Sequence, residues 1–433
     1  MPRRRLHIPI RVLSNNLLVG QLVKEPSGAT SFRYDVSWLA RDQAVPISLS
    51  LPLREDAYRG ESVIAVFDNL LPDSDHLRRR IAEKVGADGI DAYSLLSQIG
   101  RDCVGALQFV PETETEVARH DEIEGVVVND RGIEQLLQNL AKAPLGLERD
   151  QDFRISVAGA QEKTALLHHQ RKWWKPGGTT PTTHILKPQI GTLPNGLDLS
   201  HSVENEFYCL KLLAAFGLPV ANVQIQTFGK VKALVVERFD RAWQKNNRLL
   251  RLPVEDLCQA LGCPPGRKYQ SEGGPGIVAI LDLLKGADAP ASDQKIFLKA
   301  QILFWLIGAT DGHAKNFSIF LGPGGSFRLA PVYDVLTAQP SADSRQVERK
   351  QMKLAIFVGD RRHYRIDEVQ GRHFIQSTEL AGLPGALAKS ALDEIADTAG
   401  QTLNQVQEQL PAGFPPNIHH AVQAGVMSRL GKI

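Results

Sequence analysis

The sequence predicts an α+β fold in which strands dominate up to about residue 255 and helices dominate after it. Two patterns support this prediction. Short runs of β-branched and aromatic residues, bounded by turn-forming residues, recur in the first part, and apolar residues at helical spacing recur in the second. Because 433 residues are too many for one ordinary core, we expect more than one domain. The predicted domains are 1–110, 111–255 and 256–433.

The first predicted domain alternates strand-like and helical segments. Residues 11–23 are typical of a β-hairpin with an Asn-Asn pair near its turn. Helices are predicted at 77–85 and 91–99. The stretch 111–125 that follows carries six acidic residues in fifteen, which is typical of a surface connection.

The second predicted domain holds most of the strands. A short helix at 132–141 precedes them. A longer helix begins at Ser202, a residue type that caps helix N-termini, and ends at Gly217. Strands are predicted at 153–157, 163–167, 182–187, 223–226 and 231–237. In the third domain, helical periodicity is found at 277–285, 294–307 and 386–409, and a strand-like run at 327–332.

Composition narrows the class of protein. The chain is 43% hydrophobic and 23% charged, and its net charge of +2 gives no overall field that would attract nucleic acid. The longest apolar run, at 302–308, is far shorter than the ~20 residues of a membrane span, and no signal peptide is apparent. Four cysteines in so long a chain indicate neither a disulfide framework nor a zinc site. We therefore expect a cytoplasmic protein without a membrane partner.

The most informative motif is Asp311-Gly-His-Ala-Lys-Asn316, with Asp334 following 18 residues after the asparagine. An aspartate five residues before an asparagine, with a second aspartate downstream, is the spacing of phosphotransfer enzymes of the protein-kinase type. There the first aspartate accepts the proton of the attacking hydroxyl. The asparagine and the second aspartate supply hard oxygen ligands for Mg²⁺. The motif therefore predicts Asp311 as the base and Asn316 and Asp334 as metal ligands.

Features earlier in the chain stand in the order that such an enzyme requires. Lys187 ends an apolar strand, where it would bind phosphates unless it is simply a solvated charge. Glu206, or else Glu204, would pair with Lys187, or both would only stabilise the start of their helix. The loop 157–163 is rich in small residues and would bring backbone N–H groups to phosphates, although an ordinary hairpin turn has the same composition.

Two further segments complete the predicted site. Residues 237–241 follow the last strand of the β-rich half, where a kinase binds the adenine edge through its backbone; an exposed charged loop is the alternative. His313 would orient the 311–316 loop or touch a phosphate, and Lys315 would reach the transferring phosphate. Structural and solvated roles are the alternatives for these two residues.

Several segments together match one known family, namely FDNLLPDS, LLSQIGRDCVGAL, DFRISVAGAQEKTALL, TPTTHILKP, VERFDR, EDLCQALG, GGPGI, WLIGATDGHAKNFS, PVYDV and MKLA. In these segments the chain resembles the HipA toxins of bacterial HipBA modules. The resemblance covers almost the whole chain. The resemblance implies a serine/threonine protein kinase with a divergent two-lobed kinase-like fold, an added N-terminal α/β subdomain and an all-helical C-terminal lobe.

The resemblance also implies cofactors and residue roles. ATP and Mg²⁺ would be bound, with Asp311 as the catalytic base and Asn316 and Asp334 as magnesium ligands. Ser156 matches the family's self-phosphorylation site, where modification inactivates the kinase by displacing the nucleotide loop. The residues implied to bind the nucleotide are Ala158, Gly159, Ala160, Gln161, Glu162, Lys163, Lys187, Glu237, Arg238, Phe239, His313, Ala314, Lys315, Asn316, Tyr333 and Asp334.

Partners follow from the same resemblance. It implies a small dimeric helix-turn-helix antitoxin similar to HipB, operator DNA bound through that complex, and a protein substrate in translation, such as glutamate–tRNA ligase. The toxin would arrest growth and produce persistence. In addition, residues 345–365 hold seven Arg or Lys against two acidic residues. Arg361, Arg362 and Arg365 are the densest part, and either contact DNA or form a solvated face.

Two other functions remain open at this point. A small-molecule kinase of the aminoglycoside phosphotransferase type shares the Asp/Asn/Asp layout, and this chain lacks the GxGxxG, HRD, DFG and APE motifs of ordinary protein kinases. A catalytically silent corepressor that only assembles on DNA is the second. It would be expected to lack one of Asp311, Asn316 and Asp334, and all three are present.

Overall fold

The protein has an α+β fold, as predicted. The computed structural model describes residues 7–114, 123–147, 153–159, 161–245 and 247–433. The chain divides into two compact units. The first unit contains Met1–Pro188, Gln226–Gly266 and Phe320–Ser326, and the second contains Gln189–Ile225, Arg267–Ile319 and Phe327–Ile433. The domain borders expected near residues 110 and 255 stay predictions.

The strands are short and concentrated before residue 260. They are β1 Ile10–Ser14, β2 Leu17–Lys24, β3 Thr30–Tyr34, β4 Tyr58–Arg59, β5 Leu107–Pro111, β6 Gly125–Val128, β7 Thr164–His169, β8 Lys172–Pro176, β9 His184–Pro188, β10 Gly191–Thr192, β11 Asp198–Leu199, β12 Val223–Phe228, β13 Val231–Glu237, β14 Arg241–Trp243, β15 Leu249–Arg251, β16 Val254–Asp256, β17 Ser318–Leu321, β18 Phe327–Leu329, β19 Lys353–Val358 and β20 His363–Arg365.

The longest helices lie in the last third of the chain. The helices are α1 Val36–Leu39, α2 Glu61–Asp68, α3 Asp75–Val85, α4 Ala92–Ile99, α5 Asp130–Gln138, α6 Ser202–Ala215, α7 Leu257–Ala260, α8 Ile277–Leu284, α9 Pro290–Ile307, α10 Gln339–Asp343, α11 Gly371–Leu380, α12 Ala386–Glu408 and α13 Pro416–Leu430.

A five-stranded antiparallel sheet of order β4-β3-β2-β1-β5 begins the first unit. The predicted hairpin is β1–β2. Its turn residues Asn15 and Asn16 have φ angles of 47° and 64°, the left-handed conformation that tight hairpin turns favour and asparagine tolerates. The core between this sheet and α2–α4 includes Phe67 and Phe109, whose rings pack edge to face with centroids 5.6 Å apart.

A six-stranded sheet of order β12-β13-β9-β7-β8-β6 is the second sheet of this part of the chain. Strand β9 is antiparallel to both β7 and β13. Helix α5 contributes Ile133 and Leu137 to a separate core with Leu166, Leu186 and Val235. Lys187 lies on β9 opposite Leu234. The predicted strand and the position of Lys187 near its end are therefore confirmed, and its role stays a prediction.

The strand predicted at 153–157 is wrong. Within it only Ile155 forms a β-bridge, to Asp102. Phe153, Ile155 and Val157 are nevertheless 1–3% exposed. Their apolar pattern reflects burial in the N-terminal core, and it does not indicate a ladder of strand hydrogen bonds. Part of the acidic connection predicted at 111–125 lies outside the described residues.

The second unit is mainly helical, but the all-helical C-terminal lobe is wrong in detail. The strands β18, β19 and β20 lie there, and β19 pairs with β20 as a short hairpin. The first half of the strand-like run predicted at 327–332 forms β18. Strands β19 and β20 were not predicted, because six and three residues carry little periodic signal. The predicted helices near 277–285, 294–307 and 386–409 are confirmed as α8, α9 and α12. Among the described residues, no helix combines the length and apolar character needed to cross a bilayer.

Helix α6 begins at the predicted place with a different cap. Ser202 is the first helical residue and does not cap it, because the side chain of Gln189 takes that role. Its Oε1 accepts from the Val203 N–H at 2.9 Å, while its Nε2 donates to Glu204 Oε2 at 2.6 Å. The helix ends at Ala215 and Gly217 follows with a φ of 83°.

A buried carboxyl group in the first unit makes folding stability depend on pH. Glu255 is 1% exposed, accepts from the Leu49 N–H at 2.8 Å, and burial raises its pKa to about 8 from an ordinary 4.5. Between those values the folded protein retains a proton that the unfolded chain has lost. The free energy of unfolding therefore falls as pH rises through that window and levels off above it.

We expect Glu255→Gln to remove this dependence, since glutamine keeps the acceptor for Leu49 and cannot ionise. Its stability relative to the wild type should grow by about 1.4 kcal/mol per pH unit between pH 5 and 8. Urea unfolding at several pH values measures the difference. The exposed Glu83→Gln in the same unit is the matched control, and an equal pH dependence in all three proteins would contradict the expectation.

Candidate active site

The predicted nucleotide loop lies in the first unit and is closed by its own lysine. Lys163, 5% exposed, donates from Nζ to the Ala158 carbonyl at 2.9 Å. Gly159 has a φ of 105°, and a Cβ there would lie 2.5 Å from that Nζ, so glycine is required. Gln161 Nε2 donates to the Pro188 carbonyl at 3.3 Å, and Glu162 is exposed. The predicted Ala160 lies outside the described residues.

Ser156 precedes this loop and is completely buried. Its hydroxyl donates to the Leu70 carbonyl at 2.7 Å, and its N–H donates to the Asp102 carbonyl at 2.9 Å. Both partners belong to the N-terminal part of the first unit. The serine is therefore held in place by two hydrogen bonds and is inaccessible in this conformation.

The segment predicted to contact adenine follows β13. Glu237 is exposed at the end of that strand, and Phe239 packs edge to face on Phe320 with centroids 5.7 Å apart. Arg238 differs from these two neighbours because its side chain is 4% exposed and lies in an ion cluster. Its N–H donates to the Thr183 carbonyl at 2.9 Å. Arg238 thus has a structural role, and the adenine prediction depends on Glu237 and Phe239.

That ion cluster is centred on Asp102. The carboxylate of Asp102 contacts three guanidinium groups at 2.8–3.2 Å, those of Arg238, Arg241 and Arg251. Burial alone would raise the pKa of Asp102, but the attraction of the three cations holds it well below its ordinary range. Asp240 completes the cluster by pairing with Arg238 at 2.8 Å. The carboxylate stays ionised in the interior because cations surround it.

The Asp311 loop lies in the second unit, directly after the buried helix α9. Gly308 ends the helix with a φ of 74°. The Asp311 side chain is 59% exposed, whereas His313 is 2% exposed as a residue. Asn316 Nδ2 donates to the Asp311 carbonyl at 2.8 Å. The predicted base therefore faces solvent from a loop whose backbone is internally bonded, and the rest of the loop, including Ala314 and Lys315, is buried.

Tyr333 connects the segment just before Asp334 to that loop. Its hydroxyl lies 2.7 Å from Ser318 Oγ and donates to the Lys315 carbonyl at 3.1 Å. Asp334 itself has a φ of 58°, which is rare for a residue other than glycine and is found at functional sites. The structure therefore brings Lys315, Asn316 and the segment of Asp334 together within one unit.

Asn205 of α6 holds the chain just beyond Asp334. Its Nδ2 donates to the Thr337 carbonyl and its Oδ1 accepts from the Thr337 N–H, both at 2.9 Å. The Thr337 hydroxyl donates to the Ile307 carbonyl at the end of α9. Glu204 and Glu206 of the same helix are 1% and 2% exposed. Which of the two would pair with Lys187 stays a prediction.

The residues present fit a hard divalent cation. Asn316 uses its amide nitrogen to bind the Asp311 carbonyl, so its amide oxygen is the atom that would serve as a cation ligand. With the Asp334 carboxylate it would supply only oxygen donors, and Mg²⁺ commonly takes its other ligands from phosphates and water. Within the described residues, no group of three or more His, Cys, Asp or Glu forms a metal site.

The basic segment 345–365 contains the β19–β20 hairpin. Arg361 and Arg362 are exposed, and the Arg362 guanidinium lies 5.7 Å from the Phe357 ring centroid. Arg365 is different, since it pairs with Asp367 at 2.9 Å and with Glu368 at 3.0 Å. Local carboxylates therefore compensate the charge of Arg365, which leaves Arg361 and Arg362 better suited to a phosphate partner.

The sequence did not point to three residues with central contacts, namely Asp102, Asn205 and Tyr269. The Tyr269 hydroxyl lies 2.5 Å from Asp311 Oδ1, although 42 residues separate the two in the chain. Each of the three acts on a segment far away in sequence, and no spacing rule encodes such contacts. The Tyr-Gln-Ser-Glu-Gly-Gly-Pro-Gly run after Lys268 was the available signal, since clustered glycines mark a tightly built loop.

Comparisons with known proteins agree over almost the whole chain. The HipA-like C-terminal domain matches residues 155–403, and the HipA N-terminal domain matches residues 10–110. The putative kinase Y4mE of Sinorhizobium fredii is 32% identical over 405 residues, 92% of both chains. The serine/threonine-protein kinase toxin HipA of Shewanella oneidensis is 30% identical over 415 residues, 92% of this chain and 88% of that one.

A solved structure is similar as well. It is the HipA chain in the Shewanella oneidensis MR-1 complex of HipA, HipB and operator DNA, with a TM-score of 0.80 and 25% identity. The match covers 98% of this chain and 97% of that one. The fold similarity therefore includes both units.

Gly312 offers a direct test of how tightly the Asp311 loop packs. A Cβ at Gly312 would lie 2.3 Å from the Phe304 ring on the buried helix α9. We expect Gly312→Ala to lower the free energy of unfolding by roughly 1–3 kcal/mol through overpacking. Gly400→Ala is the matched control, because nothing lies within 4 Å of a Cβ there and alanine favours the α12 helix. Denaturant unfolding measures the free energy of unfolding of both variants. Equal stability of Gly312→Ala and Gly400→Ala would contradict the close packing of Gly312 on Phe304.

Proposed function

The chain belongs to the HipA family of serine/threonine protein kinases, and we propose that it transfers the γ-phosphate of ATP to a protein hydroxyl as a growth-arrest toxin. The arrangement of the Asp311 loop carries this proposal. The loop presents the solvent-exposed carboxylate of Asp311, and the Asn316 side chain bonds the Asp311 carbonyl within it. Tyr333, which precedes Asp334, bonds the Lys315 carbonyl of the same loop. This is the set of groups that phosphoryl transfer to a hydroxyl requires.

Each residue has a role that follows from its chemistry. Asp311 would accept the proton of the attacking serine or threonine hydroxyl, because its carboxylate is exposed where a substrate can reach it. Asn316 and Asp334 would hold Mg²⁺, which when bound neutralises charge on the transferring phosphate. Lys187 would bind nucleotide phosphates, and the backbone of the loop 158–163 would line them. Glu237 and Phe239 would contact the adenine.

Self-phosphorylation at Ser156 would regulate the enzyme. The hydroxyl is 0% exposed and bonded to Leu70, so the segment must leave its place before the serine can react. Once modified, it could not return, because about two negative charges would be buried next to the Leu70 and Asp102 carbonyls. The displaced loop would then no longer bind phosphates.

The partners would be a small dimeric HipB-like antitoxin and, through it, operator DNA. The similar Shewanella oneidensis structure contains HipB and operator DNA, which supports this part of the proposal. A translation component such as glutamate–tRNA ligase would be the protein substrate. Both kinds of partner are cytoplasmic, and we place the protein there.

Intact mass after incubation with ATP and Mg²⁺ tests the proposed activity. We expect the wild type to gain one phosphate, and Asp311→Gln and Ser156→Ala to gain none, since one lacks the base and the other the acceptor. The exposed Asp360→Gln and the half-buried Ser97→Ala are matched controls and should behave as the wild type.

The other outcomes separate the alternatives. The wild type could also be purified already carrying the phosphate. This would support self-modification if phosphatase removes the phosphate and if Asp311→Gln lacks it. Unchanged mass in all proteins with ATP still bound would contradict the proposal and favour a small-molecule kinase or a silent corepressor. A gain at a residue other than Ser156 would contradict the regulatory part alone.

Salt dependence tests the proposed contact with DNA. In the complex with antitoxin and operator, Arg361→Ala and Arg362→Ala should each reduce the slope of log K against log salt by about one, because each variant would neutralise one DNA phosphate fewer. Arg365→Ala should leave the slope unchanged, because Asp367 and Glu368 already compensate that charge. Binding isotherms at several salt concentrations measure the slopes. If all three variants have the slope of the wild type, this hairpin is a solvated face.

A further inference from the structure

We propose that Tyr269 is the positioning residue of the Asp311 carboxylate. The inference rests on the proposed function, since it assigns to Asp311 the role of base. Tyr269 would hold one carboxylate oxygen so that the other is presented to the acceptor hydroxyl. All residues of the argument lie in the second unit.

The contact with the base is direct. The Tyr269 hydroxyl donates to Asp311 Oδ1 at 2.5 Å. The imidazole of His313 is farther away, with its Nε2 3.8 Å from the same oxygen. A carboxylate that is 59% exposed would otherwise sample several rotamers, because solvent does not select one. The tyrosine therefore supplies the restraint that the exposed base needs.

The ring of Tyr269 is itself held in place. It packs edge to face on the buried ring of His313, with centroids 5.0 Å apart and an interplanar angle of 82°. The Lys268 ammonium lies 5.4 Å from the centroid of the same ring. Because His313 belongs to the loop of Asp311, the tyrosine touches that loop at two points. Its hydroxyl can therefore keep a constant position relative to the carboxylate.

The backbone around Tyr269 is tightly built. Its carbonyl accepts from the N–H groups of Glu272 and Gly274 at 3.0 and 2.9 Å. A Cβ at Gly274 would lie 2.2 Å from the Arg267 carbonyl oxygen, so only glycine fits. The next side chain, Gln270, accepts from the Phe357 N–H of β19 at 2.9 Å. The loop is thus closed by hydrogen bonds from the residues after Tyr269 to its carbonyl, and Gln270 anchors it to a strand.

This arrangement divides the two oxygens of the base between two hydroxyl groups. Oδ1 accepts from the phenol, and Oδ2 would accept the proton of the substrate serine or threonine. As the hydroxyl oxygen bonds to the γ-phosphorus of ATP, the bond from that phosphorus to the β–γ bridging oxygen breaks and ADP leaves with the electron pair. The phenol keeps its own proton throughout and is not consumed. Tyr269 therefore acts through Asp311 and is not a catalytic residue.

Tyr269→Phe tests the inference, because it removes the hydroxyl and keeps the ring on His313. We expect the single-turnover rate of phosphate transfer from ATP to a protein hydroxyl to fall about tenfold. The loss of one hydrogen bond to a charged group has an effect of about this size. The ATP dissociation constant and the unfolding temperature should stay unchanged. Tyr364→Phe is the matched control: Tyr364 is a half-buried tyrosine of the same unit whose ring packs edge to face on Phe357. It should transfer phosphate at the wild-type rate.

A double-mutant cycle with Asp311→Asn separates positioning from a general structural role. If Tyr269 acts through the carboxylate, Tyr269→Phe should cause no further loss in the Asp311→Asn protein. An additive loss would overturn the inference, and so would a Tyr269→Phe rate equal to or above that of the wild type. Rates are compared at a temperature at which circular dichroism shows every variant folded.

The same experiment distinguishes this inference from the proposed function. An active wild type with an equally active Tyr269→Phe would overturn only the role of the tyrosine. A wild type that transfers no phosphate to protein would overturn the proposed function, and the assignment of Tyr269 with it.

Discussion

The buried carboxylate of Asp102 is the interaction on which the first unit depends. It joins Arg238, Arg241 and Arg251, which follow it by 136 to 149 residues in the chain. Its carbonyl also accepts from the Ser156 N–H. A charge this deep is stable only while its partners remain, and removing one partner of a buried pair typically costs about 3–5 kcal/mol. The N-terminal part of the chain and the sheet of Lys187 therefore belong to one folded unit. Glu237 and Phe239, which are predicted to bind adenine, lie on either side of an arginine of this cluster.

In the second unit, a network of neutral hydrogen bonds joins segments that are far apart in the chain. Asn205 binds both backbone groups of Thr337, and Thr337 binds the last turn of α9. The helix that carries Glu206, the segment after Asp334 and the helix before Asp311 are thereby fixed to one another without a buried charge. Such a neutral network carries no desolvation penalty for ions.

Local patterns in the sequence predicted the features that local physics determines. The β1–β2 hairpin follows from two asparagines that accept positive φ, and α6 and α9 follow from helical periodicity closed by Gly217 and Gly308. The 153–157 strand failed because alternating apolar residues indicate burial as readily as pairing. The roles of Tyr269 and Asp102 could not be predicted from the sequence, since they arise from contacts across 42 and more than 130 residues, respectively. The side chain of Arg238 could not be assigned for the same reason.

The burial of Ser156 links the Asp102 cluster to the proposed self-phosphorylation. Its hydroxyl bonds Leu70 and its N–H bonds the backbone of Asp102, so the conformation that shields the serine is the one in which the N-terminal subdomain is docked. Phosphate transfer to this residue and the docked conformation of its segment exclude each other. The rate of self-modification would then depend both on the chemical step and on how often these two hydrogen bonds and the Ile155 bridge open. Contacts that strengthen the docked state, such as the Asp102 cluster, would prolong the active form of the kinase.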